Sequence, residues 1–226
     1  MQVGFLKNGY NICFHYHDIY LAFNGYSSAS VQYRLSGEAQ FPALVNDAKA
    51  AVSFLRGQAS EFGFDPDRMA SFGTSAGAYI AAFIATTGDD PEFETGEFSN
   101  AVQASLIVAG PTDTTGQNPQ RDSRKPDGNY RLMMGVSYDD NPALFEKASP
   151  LHHVSNQTGP MLKVNEQFSG EVDPTRALQE GILKAVAGHG TYVETFSLTG
   201  GIHAEWGWEP WFSVATYRFT FLLDKL

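Results

Sequence analysis

Cysteine is nearly absent: Cys13 stands alone among 226 residues. No intramolecular disulfide can form, so cysteine usage points to no redox compartment. Long apolar runs are missing too. No stretch approaches the ~18 residues that a bilayer core demands. The opening MQVGFLKNGY lacks the charged-then-apolar pattern of a signal peptide, and a soluble, cytoplasmic protein is the expectation. Basic residues are scarce. Fifteen Lys and Arg face 25 Asp and Glu, a net charge of −10, with no Lys/Arg run. That balance argues against nucleic acid and anionic membrane surfaces as partners. Repeats and low-complexity tracts are also missing. No His/Cys/Asp spacing suits a metal, and no Gly-rich phosphate loop or dinucleotide fingerprint occurs, so no metal and no cofactor is expected. Asn156-Gln157-Thr158 matches a glycosylation sequon, a triplet short enough to arise by chance.

What is present fits one α/β domain over residues 1–226. The length leaves room for a core, and 42% hydrophobic residues is ordinary for a globular chain. Strand-like runs alternate with helix-like ones, the signature of a parallel sheet with crossovers. Tyr26–Tyr33, Met69–Phe72, Ala104–Ala109, Met161–Val164 and Tyr192–Leu198 read as strands. Leu44, Val45, Ala48, Ala51, Val52 and Leu55 form a helical stripe in Pro42–Leu55, with Pro42 as an early helical residue. Thr175–Ala187 is amphipathic, and Trp211–Leu226 reads as a closing helix. Gly88–Asn100 is an acidic excursion. Gly110–Pro150 is long and polar, without clear periodicity beyond Pro142–Ala148, and a lid or excursion is expected at 112–147.

The most informative segment is Gly73-Thr74-Ser75-Ala76-Gly77. It lies between the apolar run Met69–Phe72 and the alanine-rich, helix-like Ala76–Thr86. A G-x-S-x-G at a strand-to-helix junction is the nucleophile turn of α/β-hydrolases. The turn is tight enough to strain the serine backbone, and only hydrogen-sized side chains fit two residues to either side. The following helix aims its N-terminus at the serine. That places free N–H groups and a positive dipole end where an oxyanion would form.

A serine hydroxyl needs a base, because it is barely ionised at neutral pH. Of the six histidines, His203 lies just past the last strand, in Thr199-Gly200-Gly201-Ile202-His203. That is the place and chain order of the base in a Ser–acid–His arrangement. His189 in Gly-His-Gly reads as a solvated helix end. His152, His153, His15 and His17 read as surface or satisfied core residues.

These pieces carry a resemblance. Tyr33-Arg34-Leu35-Ser36 with Phe41-Pro42, Asp65-Pro66-Asp67-Arg68, the GTSAG turn, Gly110-Pro111-Thr112-Asp113, Ala148-Ser149-Pro150 and Gly201-Ile202-His203 occur in order and at near-family spacing. The chain resembles α/β-hydrolase esterases of the acetyl-xylan/feruloyl-esterase and hormone-sensitive-lipase-like kind over roughly residues 20–226. The resemblance implies a carboxylesterase acting on small-molecule esters with short acyl groups, or on decorated plant polysaccharide, through a Ser-His-acid triad.

Two departures stand out. The family's His-Gly-Gly-Gly-Trp strand end, which completes the oxyanion hole, is absent. The favoured reading is a chain that starts inside the helix after that strand, with Ile12, Tyr16, Ile19 or Tyr20, and Phe23 on one helical face. N-terminal strands would then be lacking, and the exposed sheet edge would invite a homodimer. The alternative makes Tyr10–His15 that strand, at the cost of a crossover shorter than the usual dozen or so residues. In the favoured reading, Ala76 N–H is the only family-type oxyanion donor that can be named. The second departure is Ser169, which falls where the family places its aspartate. Glu171, 32 residues before His203, is the first candidate acid. Asp173 is the second, although before Pro174-Thr175 it also reads as a helix N-cap. Glu166 sits early, at the strand end, and absence of a working acid stays open. Trp206, Trp208 and Trp211 either line an acyl or sugar pocket or pack the last helix onto the sheet.

Overall fold

The computed structural model describes residues 2–3, 15–93, 96–167, 175–199, 217–220 and 223–224. Among the described residues, six strands form one sheet: β1 (Gln2–Val3), β2 (Ser30–Val31), β3 (Ala70–Thr74), β4 (Ala104–Val108), β5 (Met161–Gln167) and β6 (Val193–Thr199). Their order is β2-β1-β3-β4-β5-β6, and every neighbouring pair is parallel. A strand therefore precedes the first helix, α1 (His15–Phe23). This corrects the expectation that the chain starts inside that helix. The alternative strand at Tyr10–His15 fares no better at its one described residue, since His15 heads α1; residues 10–14 lie outside the described ones.

Parallel strands need crossovers, and helices supply them. These are α2 (Ala43–Gly57), α3 (Ala59–Phe62), α4 (Ala76–Thr87) and α8 (Thr175–Gly188). Helix α2 follows the stripe read from the sequence, with Leu44, Val45, Ala48 and Val52 buried. Pro42 is its N-cap, one place earlier than expected. Helix α4 is buried from Gly77 to Thr87. Its small residues let it lie close against β3 and β4, and the Ser71 hydroxyl donates to the Ala81 carbonyl at 3.0 Å.

Residues of β3 and β4 are buried throughout, as a parallel sheet covered on both faces requires. Ile107 and Met161 face one core with Val45, Tyr79, Phe83 and Ile182. Phe72, Leu106, Val108, Leu162 and Val164 face the other with Phe219. Burying each such side chain stabilises by about 1.5–3 kcal/mol.

The run from Gly110 to Pro150 holds three short helices: α5 (Gln117–Ser123), α6 (Asn129–Met134) and α7 (Pro142–Lys147). Only α7 matches a periodicity visible in the sequence. The other two are fixed by polar side chains binding backbone. Asp122 accepts the Tyr130 N–H at 2.8 Å, and Ser123 accepts the Tyr138 N–H at 3.0 Å. Strand β2 is shorter than Tyr26–Tyr33, because only Ser30 and Val31 pair with β1. Among the described residues no helix is long and apolar enough to cross a membrane.

Candidate active site

Ser75 sits between the last residue of β3 and the first of α4, at φ 52° and ψ −120°. A non-glycine residue there is strained by about 1–3 kcal/mol, and surrounding structure must hold it. Its N–H donates to the Val108 carbonyl at 2.8 Å, and its carbonyl accepts the Tyr79 N–H at 3.2 Å. Gly73 has no room for a side chain. A Cβ there would lie 2.7 Å from the Ala78 nitrogen and closer still to the Gly77 carbonyl. The strained serine and its glycine are as the sequence led us to expect. Ser75 and Ala76 are both half-buried. Ala76 opens a twelve-residue helix, so its N–H belongs to the unsatisfied, positively polarised end.

Because the sheet is parallel, the C-terminal ends of β3, β4, β5 and β6 share one edge. The Gln167–Thr199 pairing brings the ends of β5 and β6 level. β5 ends at Gln167 and β6 at Thr199, on the edge that carries Ser75; Ser169, Glu171, Asp173 and His203 come after those ends in sequence. Those four residues lie outside the described ones, as do Trp206, Trp208 and Trp211. Glu166 is inside β5, opposite Leu198 of β6.

Among the other histidines, His153 is held at the core edge. Its Nε2 lies 2.8 Å from the Lys147 carbonyl, and its ring meets Phe83 and Phe93 edge-on. His152 and His189 are exposed. No group of His, Cys, Asp and Glu fit to hold a metal occurs among the described residues.

Two features of the loop that leaves β4 had no role assigned from the sequence. Ala109, the residue after β4, is also left-handed, at φ 50°. Asp113, further along the same loop, accepts from the Thr115 N–H at 2.7 Å and the Thr115 hydroxyl at 2.6 Å. The Ser149 hydroxyl lies 3.4 Å from it. The Thr114 hydroxyl donates to the Phe145 carbonyl, and the Leu151 N–H to the Thr112 carbonyl at 2.9 Å. The loop leaving β4 is thereby tied to α7 and to the chain after it. Nearby, burial pushes the Tyr130 phenol well above its ordinary pKa, and the Asp122 and Asp113 carboxylates add to it.

A cavity of about 560 Å³ lies elsewhere, lined by Tyr26, Phe62, Arg68, Met69, Phe72 and Phe219, among others. Met69 and Ala70 place it at the N-terminal end of β3. It is at the wrong end of the strand to receive a substrate for Ser75.

Comparison with known proteins agrees with this frame. The BD-FAE family model matches residues 6–179. Esterase LipQ of Mycobacterium tuberculosis is 32% identical over 178 residues, covering 75% of this chain and 41% of LipQ. Esterase LipC of the same organism is 29% identical, covering 75% of this chain and 46% of LipC. The chain thus spans less than half the length of these relatives. Among solved structures, a truncated carbohydrate esterase from gut microbiota superposes with a TM-score of 0.78 at 21% identity, covering 99% of this chain and 85% of that one. An esterase from Thermogutta terrifontis gives 0.76 at 20% identity, covering 99% and 81%. At such identities these two establish the shared α/β-hydrolase fold. With the family model spanning most of its residues, this chain belongs to the BD-FAE family.

Proposed function

We propose that the chain hydrolyses carboxylic esters with Ser75 as nucleophile. The observation that carries this is the Ser75 turn: a non-glycine residue held left-handed at the mouth of a buried helix. Strain of that kind persists where structure over-determines it, as at active sites. In this reading His203 removes the Ser75 proton as Oγ attacks the ester carbonyl carbon. The tetrahedral oxyanion accepts from the Ala76 N–H. Collapse breaks the bond to the alcohol, which leaves with the proton from His203. Water, deprotonated by His203, then cleaves the acyl-enzyme and restores Ser75. Glu171 orients His203 and stabilises its imidazolium, with Asp173 as the alternative acid. No cofactor takes part.

The family and the relatives named esterases support ester hydrolysis. The substrates in this reading are short-acyl esters or esters of decorated plant polysaccharide, and one structural neighbour is named a carbohydrate esterase. Residues 112–147, which follow the end of β4 beside Ser75, serve as the wall or lid over the substrate within one domain. Pairing of two copies belongs to this reading; a monomeric mass by light scattering at high concentration removes that part.

The test is turnover of p-nitrophenyl esters from acetate to octanoate, and of acetylated xylan oligosaccharides, beside Ser75→Ala. Activity that vanishes with Ser75 is the required result. A second reading, a binding protein on a hydrolase fold, is favoured by Ser169 at the position of the family's acid. A folded chain whose Ser75 ignores a fluorophosphonate probe would establish it.

A further inference from the structure

The turn after β4 packs onto the turn after β3, and the contact is made by a residue with no side chain. Ala109 is left-handed at φ 50°, buried, and fixed by its N–H to the Val164 carbonyl at 3.0 Å. One residue before it, the Val108 carbonyl accepts the Ser75 N–H at 2.8 Å. One residue after it, Gly110 lies against the nucleophile turn. A Cβ at Gly110 would stand 2.6 Å from the Ser75 carbonyl oxygen, 3.0 Å from the Ala78 carbonyl carbon, and inside the Ala78 methyl. The φ of Gly110 is not in the left-handed region, so its glycine is demanded by space and not by backbone freedom.

From this we infer that Gly110 is a positioning residue for Ser75. The Val108–Gly110 turn grips Ser75 from two sides, with Val108 on its N–H and Gly110 against its C=O. The strain at Ala109 is what carries the chain from one contact to the other. The arrangement sets where Oγ points, because the Ser75 N–H is fixed by Val108 and its C=O, held by the Tyr79 N–H, has Gly110 packed against it. The inference rests on Ser75 being the nucleophile.

The test is the rate at which a fluorophosphonate probe labels Ser75, with kcat and KM on a p-nitrophenyl ester and thermal midpoints beside it. Gly110→Ala is expected to slow labelling and kcat by on the order of 10–100-fold with KM little changed, as misplacement of a reacting group does. Adding Ala78→Gly removes the methyl clash but leaves the added Cβ against the Ser75 carbonyl. The double variant is therefore expected to regain part of the lost stability while its labelling stays slow. Ala109→Gly adds no atom, folds, and loosens the turn, so it is expected to label several-fold more slowly at an unchanged or higher midpoint. Recovery of labelling in step with stability in the double variant, or unchanged labelling in Ala109→Gly, overturns the positioning role. A wild-type chain that does not label removes the nucleophile itself, and this inference with it.

Discussion

Gly73 and Gly77 meet backbone to backbone across the Ser75 turn, with the Gly73 Cα pressed toward the Gly77 carbonyl. Nothing flexible lines that contact, so no side chain can swing away to admit a methyl group. Gly73→Ala is expected to lower stability by about 1–3 kcal/mol, the usual cost of overpacking a tight site. Reactivity of Ser75 should fall further than stability does, because the helix start must shift away from the strand end. Urea unfolding and probe labelling on the same sample check both parts. A variant with normal stability and normal labelling would contradict the geometry.

Lys49 gives a pH dependence with a definite sign. It is fully buried in α2, and its Nζ donates to the Thr87 hydroxyl at 3.1 Å and the Gly88 carbonyl at 2.5 Å, closing the C-terminus of α4. Its Nζ also stands over the Phe93 ring at 5.5 Å, and Lys147 stands over the same ring at 5.3 Å. Burial pulls its pKa down from 10.5 to about 8, against the pull of Asp90 and Asp89. Between those values the unfolded chain holds the extra proton, so stability rises with pH across that window. The wild-type curve minus that of Lys49→Met should climb by about 2–3 kcal/mol from pH 8 to pH 10.5. Above pH 10 the tyrosines act oppositely. Burial, with Asp224 beside it, pushes Tyr26 up to about 12, and its folded-state proton is then the one at stake. That fall is common to both proteins and cancels in the difference. Denaturant midpoints at intervals of pH measure it, and a flat difference would refute the buried charge.

The parts of this fold legible in the sequence are those where one side chain reports one environment. Strands β3, β4 and β5 are covered on both faces, so they stand out as short apolar runs. Helix α2 shows its stripe because one face meets the core and the other meets water. The GTSAG turn is legible because strain and close packing restrict Ser75 and Gly73 to few residue types. Helices α5 and α6 were missed because they are too short to be periodic and take their order from Asp122 and Ser123. Strand β1 was missed because two paired residues leave no pattern. The role of Gly110 was invisible for another reason. What it excludes belongs to Ser75 and Ala78, far from it in sequence, and only the crossing of β3 and β4 brings them together.

Tyr79 tests how α4 is tied to the chain beyond the excursion. Its buried hydroxyl donates to the Ala148 carbonyl at 2.9 Å, and its ring tilts against Phe83. Burial holds the phenol far above its ordinary pKa, so it stays a donor at every working pH. Tyr79→Phe keeps the ring and removes the donor, leaving a buried carbonyl unpaired. The expected loss is about 1–3 kcal/mol, read by urea unfolding, with little change in the rate at which a fluorophosphonate probe labels Ser75.

Arg56 is the clearest case of one side chain replacing secondary structure. The loops it holds, 63–69 and 96–103, are neither helix nor strand. Its guanidinium, at the last turn of α2, donates to the Pro66 carbonyl at 3.0 Å, to the Ala101 carbonyl at 2.7 Å and to the Ser99 carbonyl. Those carbonyls come from the turn before β3 and the segment before β4, so one planar group sets the entry of both central strands. A lysine brings a point charge and cannot reach three acceptors in one plane. Arg56→Lys is therefore expected to lose most of what Arg56→Met loses, about 1–3 kcal/mol for charged hydrogen bonds to partly exposed acceptors. Hydrogen exchange locates the effect. Protection of the Met69 N–H, which donates to the Gln103 side chain at 2.8 Å, and of the Gln103 N–H, which donates to the Met69 carbonyl at 2.8 Å, should fall in both variants. Amides of β5 should keep theirs. A uniform loss across the sheet would mean that Arg56 acts on global stability and not on the entry of β3 and β4.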